Sequence, residues 1–408
     1  MKVIHITASY KPAYIYGGPI QSVAKLCEAL GKGAVGDEGL VVNNVQVLTT
    51  TANGTKELNV KIGIPILIDG VSVTYFKRQT KDHSHFSLGL LLELRKKILS
   101  YNRDDSNNGI SKLQPPNAKL IVHIHAWWNL VSILSCFVAK WYRIPVVLSP
   151  RGMLTAYTLG NRNSRSKKII HAMLGKRLLK YCHIHATSEQ EKKDIVKIIT
   201  PKSITVIPNL VSYQTSILSV HESTNEMFRL LFLSRIEEKK GLELLFEALA
   251  LVNIPWLLTI AGSGKEEYVQ SLKFKAEELG IHQQITWIGQ VADEDKFNLL
   301  ARHDLTALTS YNENFANVVV ESLSVGTPVL ISKFVGLAEY VAAKKLGWIT
   351  GLKVEEIKTG ILSAYENIKQ RKEIRALAPL LVNTDFKDDA LAKQYVAYYK
   401  KVLATQLL

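Results

Sequence analysis

Two carboxylates and two cations stand out by type and spacing. In YNENFANVVVESLSVGTPVLIS, Tyr311 to Ser332, Glu313 and Glu321 lie eight apart across what reads as a loop-to-helix junction. An ionised carboxylate only accepts hydrogen bonds, and a bond to a charged group contributes about 1.5–3 kcal/mol. Such a pair suits a ligand rich in hydroxyls. In LSRIEEKKG, Arg235 and Lys240 lie five apart where an apolar run ends. A guanidinium offers phosphate oxygens a planar fork, and an ammonium offers a compact charge. If Asn317 caps the helix after Glu313, the amides of Asn314, Phe315, Ala316 and Asn317 can also face an anion. YGGPIQS sets Gly17 and Gly18 before a helix beginning near Pro19. There glycine permits close backbone approach, and a helix start favours negative charge. The chemistry implied is a division of labour: acidic groups on hydroxyls, cations and amides on phosphates.

The elements that position these groups follow from the apolar periodicity. VIHITA, LIVHIH, PVVLSP, HIHATS and SITVIPN are strand-length runs, separated by helical stretches such as PIQSVAKLCEAL and LVSILSCFVAKWY. Short Val- and Ile-rich runs alternating with amphipathic segments predict a buried parallel sheet with helices on both faces. The polar stretch 212–227 lacks periodicity and reads as a linker. The alternation restarts at FRLLFLSR and continues through WLLTIAGSG, ITWIGQV and LTALTS. The expectation is α/β: two doubly wound Rossmann-like domains, 1–211 and 228–385, facing across a cleft, with a C-terminal helix in 386–408 packing back toward the first. LTALTS should be a strand, so Glu313 leaves its carboxyl end, the edge where open sheets bind ligands.

With 408 residues and 47% hydrophobic content, two sizeable cores are available. The net charge of +15 attracts acidic partners without choosing among them. Cys27, Cys136 and Cys182 are scattered without a CxxC pair, so neither a disulfide framework nor a zinc site is indicated, and a reduced, cytosolic setting is expected. MKVIHITASYKP is too short an apolar run for a secretion signal. LVSILSCFVAKWYRIPVVLSP is broken by Lys140 and Arg143, whereas a membrane span needs about 20 nearly uninterrupted apolar residues.

The ordered motifs resemble a known family. ENFANVVVE is similar to the E-x7-E signature of retaining family 4 glycosyltransferases of the GT-B fold, and SRIEEKKG to their R-x4-K-G segment; GGP, SPRGM, HATSEQE and VIPN fall in the family's order. The resemblance implies transfer of a sugar from a nucleotide-sugar to an acceptor hydroxyl, with retained configuration and no cofactor or obligatory metal. It implies that Arg235 and Lys240 grip the donor diphosphate, Glu313 meets the donor sugar, Glu321 holds the ribose, and the 314–317 amides touch sugar and phosphate. Gly289 to Val291 would lie near the base, and Gly17 and Gly18 would close over the diphosphate. Bacterial surface-polysaccharide assembly, with a glycan or lipid-linked acceptor, is the pathway it implies. Two departures matter. Asn314 and Ala316 stand where relatives carry glycines, and Arg151 of SPRGM takes the place of a histidine, so that histidine's catalytic role does not carry over.

Taken singly, each residue is also ordinary. Glu313 and Glu321 read as a solvated loop residue and an exposed helix residue, and Arg235 and Lys240 as surface cations. His123, His125, His183 and His185 sit on strands that read equally as core. His125, Trp127 and Arg151 are acceptor-side candidates; both Trp127 and Trp128 read as packing residues too. AGSGKEEY matches neither G-x4-G-K-[ST] nor G-x-G-x-x-G, and reads as a strand-to-helix turn. Residues 151–188 hold eight Arg or Lys and no acid, either a solvated basic face or a patch for an anionic membrane surface on the inner face of the cytoplasmic membrane. No nucleic-acid-binding module accompanies the charge. Two other functions stay open: a glycosidase using Glu313 and Glu321, and a non-catalytic sugar-nucleotide or polysaccharide-binding protein on the same frame.

Overall fold

The computed structural model describes residues 1–33, 42, 44–80, 84–107, 120–155, 158, 175–214 and 226–405. The chain forms two compact units, 1–210 with 388–408, and 211–387. The first contains β1 (Lys2–Ile6), α1 (Gly18–Gly31), β2 (Asn44–Thr50), a small hairpin of β3 (Ala52–Asn53) and β4 (Lys56–Glu57), β5 (Ile66–Ile68), β6 (Val71–Phe76), α2 (Leu88–Asn107), β7 (Leu120–His125), α3 (Leu130–Trp141), β8 (Val146–Ser149), α4 (Lys176–Leu179), β9 (His183–Ala186), α5 (Glu189–Ile198) and β10 (Ser203–Val206). The second contains β11 (Phe228–Leu233), α6 (Leu242–Ala250), β12 (Trp256–Ala261), α7 (Glu266–Glu278), β13 (Ile285–Gly289), α8 (Asp293–Ala301), β14 (Leu305–Leu308), α9 (Asn317–Ser324), β15 (Val329–Ser332), α10 (Ala338–Lys344), β16 (Gly347–Thr350), α11 (Val354–Glu366) and α12 (Ile368–Asp385). The final helix, α13 (Asp388–Ala404), belongs to the first unit.

The first sheet runs β10-β9-β8-β7-β1-β2-β6-β5, parallel except for the edge strand β5. The second runs β13-β12-β11-β14-β15-β16, parallel throughout. Each order reverses once, beside β1 and beside β11, as in doubly wound folds. Alternation along the strands sorts the first core into two layers. Ile4, Ile6, Val122 and Ile124 pack with Leu94 of α2, Cys136 of α3, Leu178 of α4 and Ile195 of α5. Val3, Val47, Ile121 and Val147 face Leu26 of α1 and Tyr395 and Tyr399 of α13. In the second unit the main core spans both strands and helices, from Val211 to Phe386, beside a smaller cluster of Leu231, Ala261, Leu300, Ala301 and Val325.

One boundary differs from the sequence reading. Val211 is buried in the second unit's core and Tyr213 packs against it, so this stretch is anchored where a linker was expected; 215–225 lie outside the described residues. The broken apolar stretch divides into α3, capped by Asn129 accepting from the Ser132 amide at 2.8 Å, and β8, with left-handed Arg143 between them. Among the described residues no helix is long and apolar enough to cross a membrane.

The α1/α13 layer holds a polar core within the apolar one. His5 is in register with His123, and His125 with Ser149, so their side chains share a face. His5 Nδ1 and His125 Nε2 are 2.9 Å apart, Ser149 Oγ bridges His123 Nε2 and His185 Nδ1 at 2.7 Å each, and Tyr399 and Tyr395 reach His123 and His185 at 2.7 and 3.0 Å. Burial, reinforced by the nearby Arg151 charge, pushes His5 down to about 3, and burial does the same for His185 against an opposing bond to the Ile207 carbonyl. Burial and neighbouring histidines also hold His123 and His125 well below the usual range. The unfolded chain takes up these protons near pH 6.5; the folded chain refuses those of His5 and His185 down to about pH 3 and resists those of His123 and His125 as well. Stability is therefore fully present above pH 6.5 and falls with acidification, by about 1.4 kcal/mol per pH unit for each such histidine. The urea midpoint should drop steeply between pH 6.5 and 5, and a midpoint unchanged over that interval contradicts this account.

Candidate functional site

The second sheet's order reverses between β11 and β14, and loops leaving neighbouring strands in opposite senses open a crevice at their carboxyl ends. Arg235 and Lys240 follow β11; Glu313 follows β14. Backbone joints fix the two loops together. The Tyr311 amide donates to the Lys239 carbonyl at 2.9 Å, and Thr309 Oγ1 to the Gly241 carbonyl at 2.7 Å. Gly241 is left-handed (φ 67°), and a Cβ there would stand 2.3 Å from the Thr309 carbonyl oxygen. On the other flank, the AGSG turn after β12 presses its backbone onto Ser234–Ile236. The Ile236 amide donates to the Ser263 carbonyl at 2.8 Å, and a Cβ on Gly262 would lie 1.8 Å from the Ser234 carbonyl oxygen. The sequence showed AGSG only as a strand-to-helix turn; its role is to clamp the segment that carries Arg235.

Across this joint Lys240 Nζ and Glu313 Oε1 form an ion pair at 2.6 Å, both side chains largely buried. Glu313 is held by its own backbone, whose amide donates to the Phe334 carbonyl at 3.0 Å and whose carbonyl accepts from the Gly336 amide at 2.8 Å. Burial would raise its carboxyl, but the charges of Lys240, Lys239 and Arg235 outweigh that and keep it below the ordinary range. Burial depresses the Lys240 ammonium, with Lys239 and Arg235 adding to the effect and Glu313 opposing it. Arg235 is 45% exposed and pairs with Glu237 at 2.6 Å. Lys239 also reaches Glu237, at 3.7 Å, so three cations share two carboxylates at the sheet's reversal.

Glu321 lies in α9 and is buried. Its Oε1 accepts from Lys296 Nζ of α8 at 2.9 Å, and Lys296 also reaches Asp293 at 3.3 Å. Burial would lower the Lys296 ammonium, but Glu321 and Asp293 together raise it. Nothing in the spacing of DEDKFNLL pointed to this partner. Asn317 is corrected: Ala316, left-handed at φ 68°, occupies the cap position, and Asn317 is the first helical residue. The Phe315 ring is core, edge-on to Phe386 at 6.1 Å between centroids, and anchors the loop beside half-buried Asn314. Gly289 ends β13 and its carbonyl accepts the Gly262 amide at 2.7 Å. Val291 packs against Leu231, Ala261 and Leu300.

In the first unit, Gly17 is the cap of α1 and Gly18 its first residue. Arg151 follows β8 in a left-handed conformation (φ 53°), its turn held by the Gly152 amide donating to Glu191 at 2.7 Å. The guanidinium points inward, donating to Ser22 Oγ at 2.9 Å and Asn209 Oδ1 at 3.0 Å, with His125 Nδ1 at 3.5 Å. Two acceptor-side expectations need correction. Trp127 is fully buried in the core, so its ring packs and offers no face to a sugar. His125 is 1% exposed and engaged with His5. The nitrogens of His5, His123 and His125 lie within 4.8 Å of one another. Yet His123 spends both on Tyr399 and Ser149, and the Arg151 guanidinium adjoins His125. The trio suits a hydrogen-bonded core better than a cation.

Residues 214–379 match the model of "Glycosyl transferases group 1", and residues 43–214 that of "Glycosyltransferase Family 4". An uncharacterised glycosyltransferase from Methanocaldococcus jannaschii is 26% identical over 98% of each chain. HepE of Anabaena, solved with UDP and glucose, superposes with a TM-score of 0.70 at 18% identity, covering 98% of this chain and 100% of that one. Sucrose-phosphate synthase from Thermosynechococcus elongatus does so with 0.72 at 17%, covering 99% and 100%. At these identities the superpositions speak to the fold. With both sheets doubly wound and both units matched by glycosyltransferase models, the chain belongs to the group 1 glycosyltransferases of GT-B fold.

Proposed function

We propose that this glycosyltransferase is a retaining enzyme that transfers a sugar from a nucleotide-sugar to a hydroxyl of a glycan or lipid-linked acceptor in bacterial surface-polysaccharide assembly. The observation that carries the reading is the largely buried Lys240–Glu313 ion pair at the reversal of the second sheet, with Arg235 and Lys239 gathered beside it on Glu237. The donor's diphosphate takes the place of Glu237 beside Arg235 and shares Lys240 with Glu313. Glu313, held ionised, accepts from the donor sugar's hydroxyls, and Glu321, steadied by Lys296, accepts from the ribose. Amides of 314–317 lie by the sugar and phosphate, and Gly289 to Val291 by the base. As the bond to the anomeric carbon breaks, charge grows on the diphosphate and these cations and amides stabilise it. The acceptor hydroxyl attacks from the same face and passes its proton to the departing phosphate, so no protein nucleophile is used. The chain's own cations neutralise the leaving group, and the reading requires no metal.

HepE was solved with UDP, which makes UDP-sugars the first donors to try. Of the basic stretch 151–188, Arg162, Arg165, Lys167 and Lys168 lie outside the described residues, and Arg151 is turned inward. Its service as a cytoplasmic membrane-facing patch then falls to Lys176, Arg177 and Lys180, which are exposed. A glycosidase is disfavoured by the lowered Glu313 carboxyl, since a general acid needs a raised one. A non-catalytic binder is disfavoured by the retention of both cations and both glutamates.

Three outcomes follow. A UDP-sugar or UDP raises the wild-type melting temperature by mass action, and Lys240→Met abolishes the rise; an equal rise in both rejects the assignment. Arg235→Ala lowers kcat by about 100-fold, as loss of one charge-stabilising donor does, with a smaller change in donor KM; unaltered kcat rules out its role on the leaving group. Gly241→Ala forces a methyl onto the Thr309 carbonyl in a left-handed conformation that itself costs about 1–2 kcal/mol, so donor affinity and thermal stability fall together. Wild-type donor affinity in that variant would mean the loop joint does not position Lys240.

A further inference from the structure

We propose that the face of the first unit formed by α2, α3 and α4 docks on an anionic lipid surface, with Phe137 and Trp141 entering the boundary between headgroups and acyl chains. Trp141 is 72% exposed and Phe137 44%, one helical turn apart on α3, with ring centroids 6.1 Å apart. Beside them on α2, Leu88 and Leu92 are also more than half exposed, again at i and i+4, and the same stripe continues into exposed Arg95 and Lys96. The helices form one surface. α2 and α3 share the buried layer that includes Leu94 and Cys136, and Arg95 Nε donates to Tyr142 just beyond α3 at 2.8 Å. Lys140 of α3 donates to the Arg177 carbonyl of α4 at 3.4 Å and lies over the Tyr181 ring at 5.8 Å.

The charge of this surface is one-sided. Among the residues whose side chains are described, 88–101, 130–143 and 175–181 carry eight Lys or Arg and a single carboxylate, Glu93, which is already paired with Lys97 at 3.5 Å; Asp104 and Asp105 of α2 lie outside them. An aromatic and leucine stripe rimmed by long basic side chains fits a lipid interface. Tryptophan settles at headgroup depth, and Lys and Arg extend their charges to the phosphates while their stems cover apolar surface. The proposal differs from charge-only attraction by residues 151–188, since the aromatic pair lies outside that stretch. It needs no transfer chemistry, so the donor measurements above can fail or succeed without touching it.

The test is flotation of the full chain, without substrates, on phosphatidylcholine vesicles with and without about one-third phosphatidylglycerol. Wild type should float with the anionic vesicles and retain part of its binding at 0.5 M NaCl, where surface charge is screened to a few ångströms. Phe137→Ser with Trp141→Ser should lower partitioning at least tenfold at high salt while melting as wild type does, as exposed positions allow. Replacing Lys176, Arg177 and Lys180 by Ser should weaken binding chiefly at low salt. Three results overturn the proposal: a wild type that does not float, a double variant that floats like wild type at both salt concentrations, or a concentration-dependent dimer abolished by the double variant, which would assign the face to a second copy.

Discussion

The second unit depends on keeping a buried ammonium against a buried carboxylate contributed by a different loop. Lys240 and Glu313 are separated by three strands in sequence, yet their atoms lie 2.6 Å apart. Side chains alone do not achieve this, because a charge taken from water needs its partner fixed before the pair becomes favourable. The fixing is done mostly by main chain, 239 to 311, 236 to 263, and 313 to 334 and 336, with the Thr309 hydroxyl adding a bond to the 241 carbonyl. Glycines at 241 and 262 let those strands of backbone approach more closely than any Cβ permits. The parallel sheet sets the coarse geometry, and the loop joints set the fine one.

The first unit solves a different problem with the same sheet pattern. Its central strands carry histidines where the second unit carries Leu and Phe, and the cost of burying His123 and His185 is offset by an open circuit of hydrogen bonds from Tyr399 through His123, Ser149 and His185 to Tyr395. The circuit requires neutral imidazoles, and Arg151 lying beside it makes protonation harder still. One guanidinium thus serves two ends, joining α1 to the chain after β10 and holding the neighbouring rings uncharged.

Much of this was legible in the residues. The alternation of apolar runs gave the doubly wound sheets, and R-x4-K with E-x7-E gave the groups at the reversal, because both depend on local spacing. What escaped were contacts between elements remote in sequence. Lys296 sits in an ordinary acidic helix start, and only the packing of α8 on α9 brings it to Glu321. Asn317 reads as a cap by type, but the cap conformation falls on Ala316, one residue earlier. Trp127 looks like a sugar platform beside Trp128 until the layer beneath α3 claims it. Burial of aromatic and polar residues follows from which helix covers which face, and that is not a local property.

The return of α13 to the first unit also orders events during synthesis. The ring circuit is incomplete until Tyr395 and Tyr399 leave the ribosome, after every residue of the second unit has emerged. The nascent first half must wait with one layer of its sheet covered by α1 but not by α13 while its neighbour is being made. Its closure therefore waits on residues made after the whole second unit, and α13 acts as the latch on a fold begun at β1.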